Sequence, residues 1–170
     1  MNAYGTAAAG TYNIALGDTA MGGSLVTGAN NIAIGQTAAD ALTSGACNIA
    51  LGKDALGAAT IGLKNIAIGE LAMSGVTTLQ ADDNIAIGRS ALVGTSATSG
   101  DLNIAIGMTA LTALTTGGCN VAIGINAAKT MTTGHTNVAI GVNTADALTT
   151  GDNNVAIGQN ALGTSTDGQD

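Results

Sequence analysis

Two cysteines, one histidine and a scatter of carboxylates are the side chains of this chain that could carry nucleophilic, acid–base or metal chemistry. Their spacing serves none of these. Cys47 and Cys119 each immediately precede an asparagine, with no further ligand at a metal-binding interval. His135 is the only histidine. A cyclic assembly could gather copies of it around a metal, but no second ligand accompanies it, and a solvated loop histidine is the simpler reading. A Cys–His pair or a triad needs partners that converge in space. Cys119 lies almost one repeat from His135, and nothing supplies a base held by a third group. The acids are dispersed as Asp18, Asp40, Asp54, Glu70, Asp82, Asp83, Asp101, Asp146 and Asp152. Their adjacent pair, Asp82–Asp83, reads as loop charge. The glycines form neither a phosphate loop nor a dinucleotide fingerprint, and the calcium-binding nonapeptide is absent. We therefore assign no catalytic, metal or cofactor-binding residue, and expect a chain that is not an enzyme and carries no cofactor.

Composition narrows the class further. The chain has 170 residues with 26 glycines, no proline, no tryptophan, no phenylalanine and two tyrosines. Apolar residues make up 46% and charged ones 9%, which places it outside the disordered class. A core must form from aliphatic residues and alanine. The net charge is −7, and the four basic residues (Lys53, Lys64, Arg89, Lys129) are spread out. Neither a nucleic-acid footprint nor a polybasic membrane patch is present, and no apolar run is long enough to span a bilayer. The opening MNAYGTAAAG shows neither a basic n-region nor an apolar h-region.

The elements that must position these residues come from a repeat. The phrase Asn-[Ile/Val]-Ala-[Ile/Leu]-Gly begins at Asn13, Asn31, Asn48, Asn65, Asn84, Asn103, Asn120, Asn137 and Asn154, at intervals of 17 to 19 residues. So short a period excludes helix-pair repeats and fits one coil of a β-solenoid or β-roll. We number the coils 1 to 9 after these asparagines. One array fills residues 1–170, with degenerate ends at 1–12 and 163–170. Alternation with period two predicts a strand in each phrase. The phrase-ending glycine predicts a corner in left-handed backbone. A second short strand is expected around the alanine three residues later, and a second corner at the glycine before the next asparagine. The two 19-residue coils, begun at Asn65 and Asn84, are expected to bulge at SGVTTLQADD and VGTSATSGDL. Stacked at the interstrand spacing, nine coils make a rod about 43 Å long. Cys47 and Cys119 then stand about 19 Å apart, too far for a disulfide, and are expected to be free, partly buried thiols.

Each strand has two faces. Burial of large apolar residues predicts an inward core ladder of Ile14, Leu16, Ile32, Ile34, Ile49, Leu51, Ile66, Ile68, Ile85, Ile87, Ile104, Ile106, Val121, Ile123, Val138, Ile140, Val155 and Ile157. The opposite face carries Ala15, Ala33, Ala50, Ala67, Ala86, Ala105, Ala122, Ala139 and Ala156. Its uniform smallness reads as close approach of a sister copy, so these alanines are the expected oligomer interface. The asparagines would stack and hydrogen-bond to one another along the rod.

The phrase N-[IV]-A-[IL]-G-x-x-A, with its glycine-bounded return, resembles the head repeats of YadA-like trimeric autotransporter adhesins and the repeat regions of phage tail and head fibres. The resemblance covers roughly residues 10–162, although adhesin repeats are usually nearer fourteen residues. It implies a left-handed parallel β-roll and a homotrimer.

The functional expectation is a structural fibre segment on a virion or an extracellular surface, acting as a rigid spacer and possible receptor- or glycan-binding surface. Its partner is a copy of itself, with neither nucleic acid nor membrane insertion involved. One alternative is a filament protomer stacking end to end. Another is an ice-binding solenoid using the threonines that recur at Thr43, Thr60, Thr77, Thr98, Thr115, Thr132 and Thr149.

Overall fold

The computed structural model describes residues 10–23, 25–75, 81–94 and 100–167. The chain forms an all-β parallel solenoid, with one three-residue strand in every coil. The strands are β1 (Ile14–Leu16), β2 (Ile32–Ile34), β3 (Ile49–Leu51), β4 (Ile66–Ile68), β5 (Ile85–Ile87), β6 (Ile104–Ile106), β7 (Val121–Ile123), β8 (Val138–Ile140) and β9 (Val155–Ile157). They make one nine-stranded sheet in chain order. Every pairing keeps equivalent residues opposite one another, as Ile66 with Ile85 and Ala67 with Ala86. No helix occurs among the described residues, and none is long and apolar enough to cross a membrane.

The return half of each coil differs from expectation. The second strand does not form, and the segment after the glycine is a series of turns. The reason lies in the backbone. Three non-glycine residues per coil sit in left-handed conformation: the one before the asparagine, and those on either side of the alanine that follows the glycine. In coil 5 these are Asp83 (φ 57°), Ser90 (φ 56°) and Leu92 (φ 46°). Such residues cost about 1–2 kcal/mol each. Hydrogen bonds along the axis offset this cost, because in coils 2 to 8 each left-handed residue turns its N–H toward a neighbouring coil. Asp83 N donates to Leu63 O at 3.0 Å, Ser90 N to Glu70 O at 2.9 Å and Leu92 N to Ala110 O at 2.8 Å. Glycine is needed for space as well as conformation. A Cβ on Gly88 (φ 133°) would stand 2.7 Å from the Gly107 carbonyl oxygen of the next coil. The loop residues expected to bulge in the two long coils, 76–80 and 95–99, lie outside the described residues, as do Thr77 and Thr98.

The facing of the strands is the reverse of the expected one. Ala33, Ala50, Ala67, Ala86, Ala105, Ala122, Ala139 and Ala156 are 0 to 4% exposed within a single chain, and Ala15 in coil 1 is half-buried. They line the inside of the coil and cannot touch a sister copy. The eighteen aliphatics stand on the outside. Ile14, Leu16, Ile34, Val155 and Ile157 are exposed. Ile32, Ile49, Leu51, Ile66, Ile68, Ile85, Ile87, Ile104, Ile106, Val121, Ile123, Val138 and Ile140 are half-buried against their neighbours in the stack. The coil is too thin for a large side chain behind the strand. Its inner wall takes alanine and asparagine, and the opposite wall supplies a second alanine, such as Ala91, Ala110 and Ala127. Larger side chains enter only in the return half, where Met21, Leu56, Met73, Leu92, Leu111, Leu114, Met131 and Leu148 are fully buried. Each of these contributes about 1.5–3 kcal/mol by leaving water.

The asparagine ladder completes the interior. Asn103 shows its pattern. Its backbone N and its Nδ2 both donate to Asn84 Oδ1, at 2.8 and 3.1 Å, and Nδ2 also donates to Gly117 O at 3.1 Å. Its own Oδ1 accepts from Asn120 N at 3.0 Å and Asn120 Nδ2 at 3.1 Å. Among the described residues no buried side-chain polar atom lacks a partner, which is the condition for burying so many amides.

Candidate functional site

The outer surface of the sheet carries the aliphatic pair of every strand. Because side chains alternate across a strand, the two aliphatics of each coil share this face, flanked along the chain by two exposed residues, the one before the asparagine and the one after the glycine. Stacking turns them into four columns. The two middle columns are the aliphatic ladders. The outer two vary in chemistry from coil to coil, as Cys47, Lys64, Asp83, Leu102 and Cys119 on one edge, and Lys53, Glu70, Arg89, Met108 and Ile125 on the other. Met108, Ile125 and Val142 are all exposed, so the apolar strip is three columns wide in coils 6 to 8.

The residues that could have carried chemistry are dispersed over the surface and do not converge. Cys47 and Cys119 are free and exposed, where partial burial was expected; both occupy the outward, left-handed position before the asparagine. His135 Nδ1 accepts a hydrogen bond from Gly118 N at 3.0 Å, and His135 N donates to Asp152 Oδ1 at 2.6 Å. The imidazole thus serves the main chain of the preceding coil and does not engage the Cys119 thiol. Asp82 and Asp101 play the same part: Leu63 N donates to Asp82 Oδ1, and Asp82 N to Asp101 Oδ1, each at 2.8 Å. Sequence reasoning placed these groups in solvated loops and missed this edge ladder. The signal was their shared place, two residues before the asparagine, in coils 5, 6, 8 and 9.

An open groove of about 330 Å³ is lined by Thr37, Asp40, Asp54, Gly57, Ala58, Leu71 and Ser74. The Thr37 hydroxyl donates to Asp54, and no histidine, cysteine, lysine or arginine lines the groove. Among the described residues no group of three His, Cys, Asp or Glu side chains is placed to hold a metal.

The threonine column also serves the stack. The Oγ1 of Thr43 donates to Thr60 O at 2.9 Å, Thr115 to Thr132 O at 2.8 Å, Thr132 to Thr149 O at 3.1 Å and Thr149 to Thr166 O at 2.7 Å. These hydroxyl protons point along the rod to the next coil. In coil 8 the alanine of the return half is replaced by Thr144, which stays fully buried by donating to Gly158 O at 2.7 Å.

No protein family, no curated protein and no solved structure matches this chain.

Proposed function

We propose that the chain is a structural fibre segment, a stiff spacer of a virion or cell-surface fibre that assembles with copies of itself through the aliphatic face. The observation that supports this most is the double column of branched aliphatics running the length of the sheet on its outer side, half-buried by its own stack in the middle coils and exposed at Ile14, Leu16, Ile34, Val155 and Ile157, even though the chain has its own buried core. Continuous apolar patches of this extent mark interaction surfaces. The trimer implied by the repeat's resemblance keeps its place, with the interface moved from the alanines to the aliphatics. Ice binding loses support because the threonine hydroxyls already donate to main-chain carbonyls.

Light scattering on the purified chain tests the proposal. Three times the monomer mass is expected at micromolar concentration, and Ile87→Asp should give a folded monomer, since it places an unpaired charge in the centre of the face. A wild-type monomer, or an Ile87→Asp variant that assembles like wild type, would sink it.

A further inference from the structure

The outer columns of the face match each other in six of the nine coils. In coil 4 the residue before the asparagine is Lys64 and the residue after the glycine is Glu70. In coil 5 the signs invert, to Asp83 and Arg89. Coil 6 pairs Leu102 with Met108, and coil 7 pairs Cys119 with Ile125. Coils 2 and 9 carry amides on both edges, Asn30 with Gln36 and Asn153 with Gln159. Coils 1, 3 and 8 break the match, with Tyr12 against Asp18, Cys47 against Lys53 and Thr136 against Val142. Members of a pair are six residues apart, on opposite edges of the strip. They are separated by up to about 20 Å and cannot pair within their chain.

Resting on the assembly proposed above, we infer that sister copies run in the same direction and in register, so that the leading edge of one strip meets the trailing edge of the next at the same height. Lys64 then faces Glu70 of the neighbouring copy, and Asp83 faces its Arg89. Symmetry makes the match informative. An axis parallel to the rod brings the two different edges together coil for coil. An axis across the rod sets each column against itself reversed, and pairing about coil 5 would oppose Asp83 to Asp83 and Arg89 to Arg89.

Contacts within one column give a partial account of the charges. Lys64 Nζ lies 4.0 Å from Asp83 Oδ1 of the next coil, and Arg89 Nη2 lies 3.0 Å from Met108 Sδ. Such contacts do not explain why both edges are apolar in coils 6 and 7 and carry opposite charge in coils 4 and 5. The strip is at most about 20 Å wide and about 43 Å tall, a footprint of at most about 860 Å². A stable interface needs roughly 800 Å² per partner. The occupant that fits the strip's length and its edge chemistry is a second copy of this chain.

Sedimentation equilibrium at low salt tests the register. Lys64→Glu or Glu70→Lys alone should weaken self-association about tenfold, by setting like charges opposite one another. The double variant Lys64→Glu/Glu70→Lys should return it to within about threefold of wild type. Each reversal also disturbs its own column, but the two sites are too far apart to compensate within one chain, so rescue reports contact between copies. Asp83→Ala should weaken association; strengthening would mean that Asp83 faces itself, and the copies run antiparallel. An assembled protein whose single reversals have no effect, or whose double variant is no better than the singles, would overturn the register and leave the aliphatic interface standing. A monomeric wild type would overturn both.

Discussion

Replacing Asn103 by alanine removes four hydrogen bonds from the middle of the stack: two donated by Nδ2 and two accepted by Oδ1. Asn84 Oδ1 still accepts from the backbone N of residue 103, and Asn120 Nδ2 still donates to Gly134 O at 2.8 Å. Two groups lose the partner they have here, the Asn120 N–H and the Gly117 carbonyl, both inside the coil. A buried polar group stripped of its partner costs about 1–3 kcal/mol, so the variant should lose about 2–6 kcal/mol, before any cost of the vacated volume. Asn103→Leu restores the volume without the bonds and should be about equally destabilised. Urea unfolding followed by circular dichroism measures the loss, with exposed Lys129→Ala as a control expected within about 0.5 kcal/mol of wild type. Coils of a solenoid interact with their neighbours, so hydrogen exchange should quicken around β6 and β7 first. A loss under about 1 kcal/mol, or an Asn103→Leu variant as stable as wild type, would show that the ladder fills space and does not hold the coils by hydrogen bonding.

Cys47 is exposed at φ 60°; Cys47→Gly should stabilise by up to about 1 kcal/mol and Cys47→Val should destabilise, an order that thermal melts of the three proteins check. Ala86→Leu forces a large side chain into the coil and should cost about 1–3 kcal/mol or more, measured by urea unfolding, whereas the same change on an outer surface would be nearly neutral. Because His135 Nδ1 accepts from Gly118 N, its neutral ring must carry the proton on Nε2, and imidazole nitrogen-15 shifts should show that tautomer at a pH where the ring is uncharged.

Much of this architecture was legible in the residues. Nine phrases of strict alternation located nine strands, and their recurrence every 17 to 19 residues located the register, because a stack of like coils places like on like. Which face points inward was not legible from the period, since alternation defines two faces and ranks neither. The expectation that Ile34 and Ile87 are inside and Ala33 and Ala86 outside rested on hydrophobicity, and the coil's thinness overrode it. A better signal was uniformity. A residue enclosed within a narrow coil has little room to vary, and the asparagine and the strand alanine never do. The aliphatic positions exchange Ile for Val or Leu, as outer positions can. The missing second strand has a similar origin: left-handed backbone at residues such as Leu92 and Leu111 leaves no sequence mark when glycine is not used for it. The candidate face was therefore drawn on the right strand and on the wrong side of it. Its edge pairing became visible only once the columns were assembled.

The hydrogen bonds of the sheet and of the asparagine ladder lie along the rod, which determines how such a rod answers a pull. Tension applied between its two ends loads the bonds of successive coils in series, so the stack should peel one winding at a time, not rupture at once. Each winding of 17 residues would pay out about 55–60 Å of slack. A lone rod would then behave as a soft, extensible tether, and lateral packing of sister copies would convert it into a stiff strut.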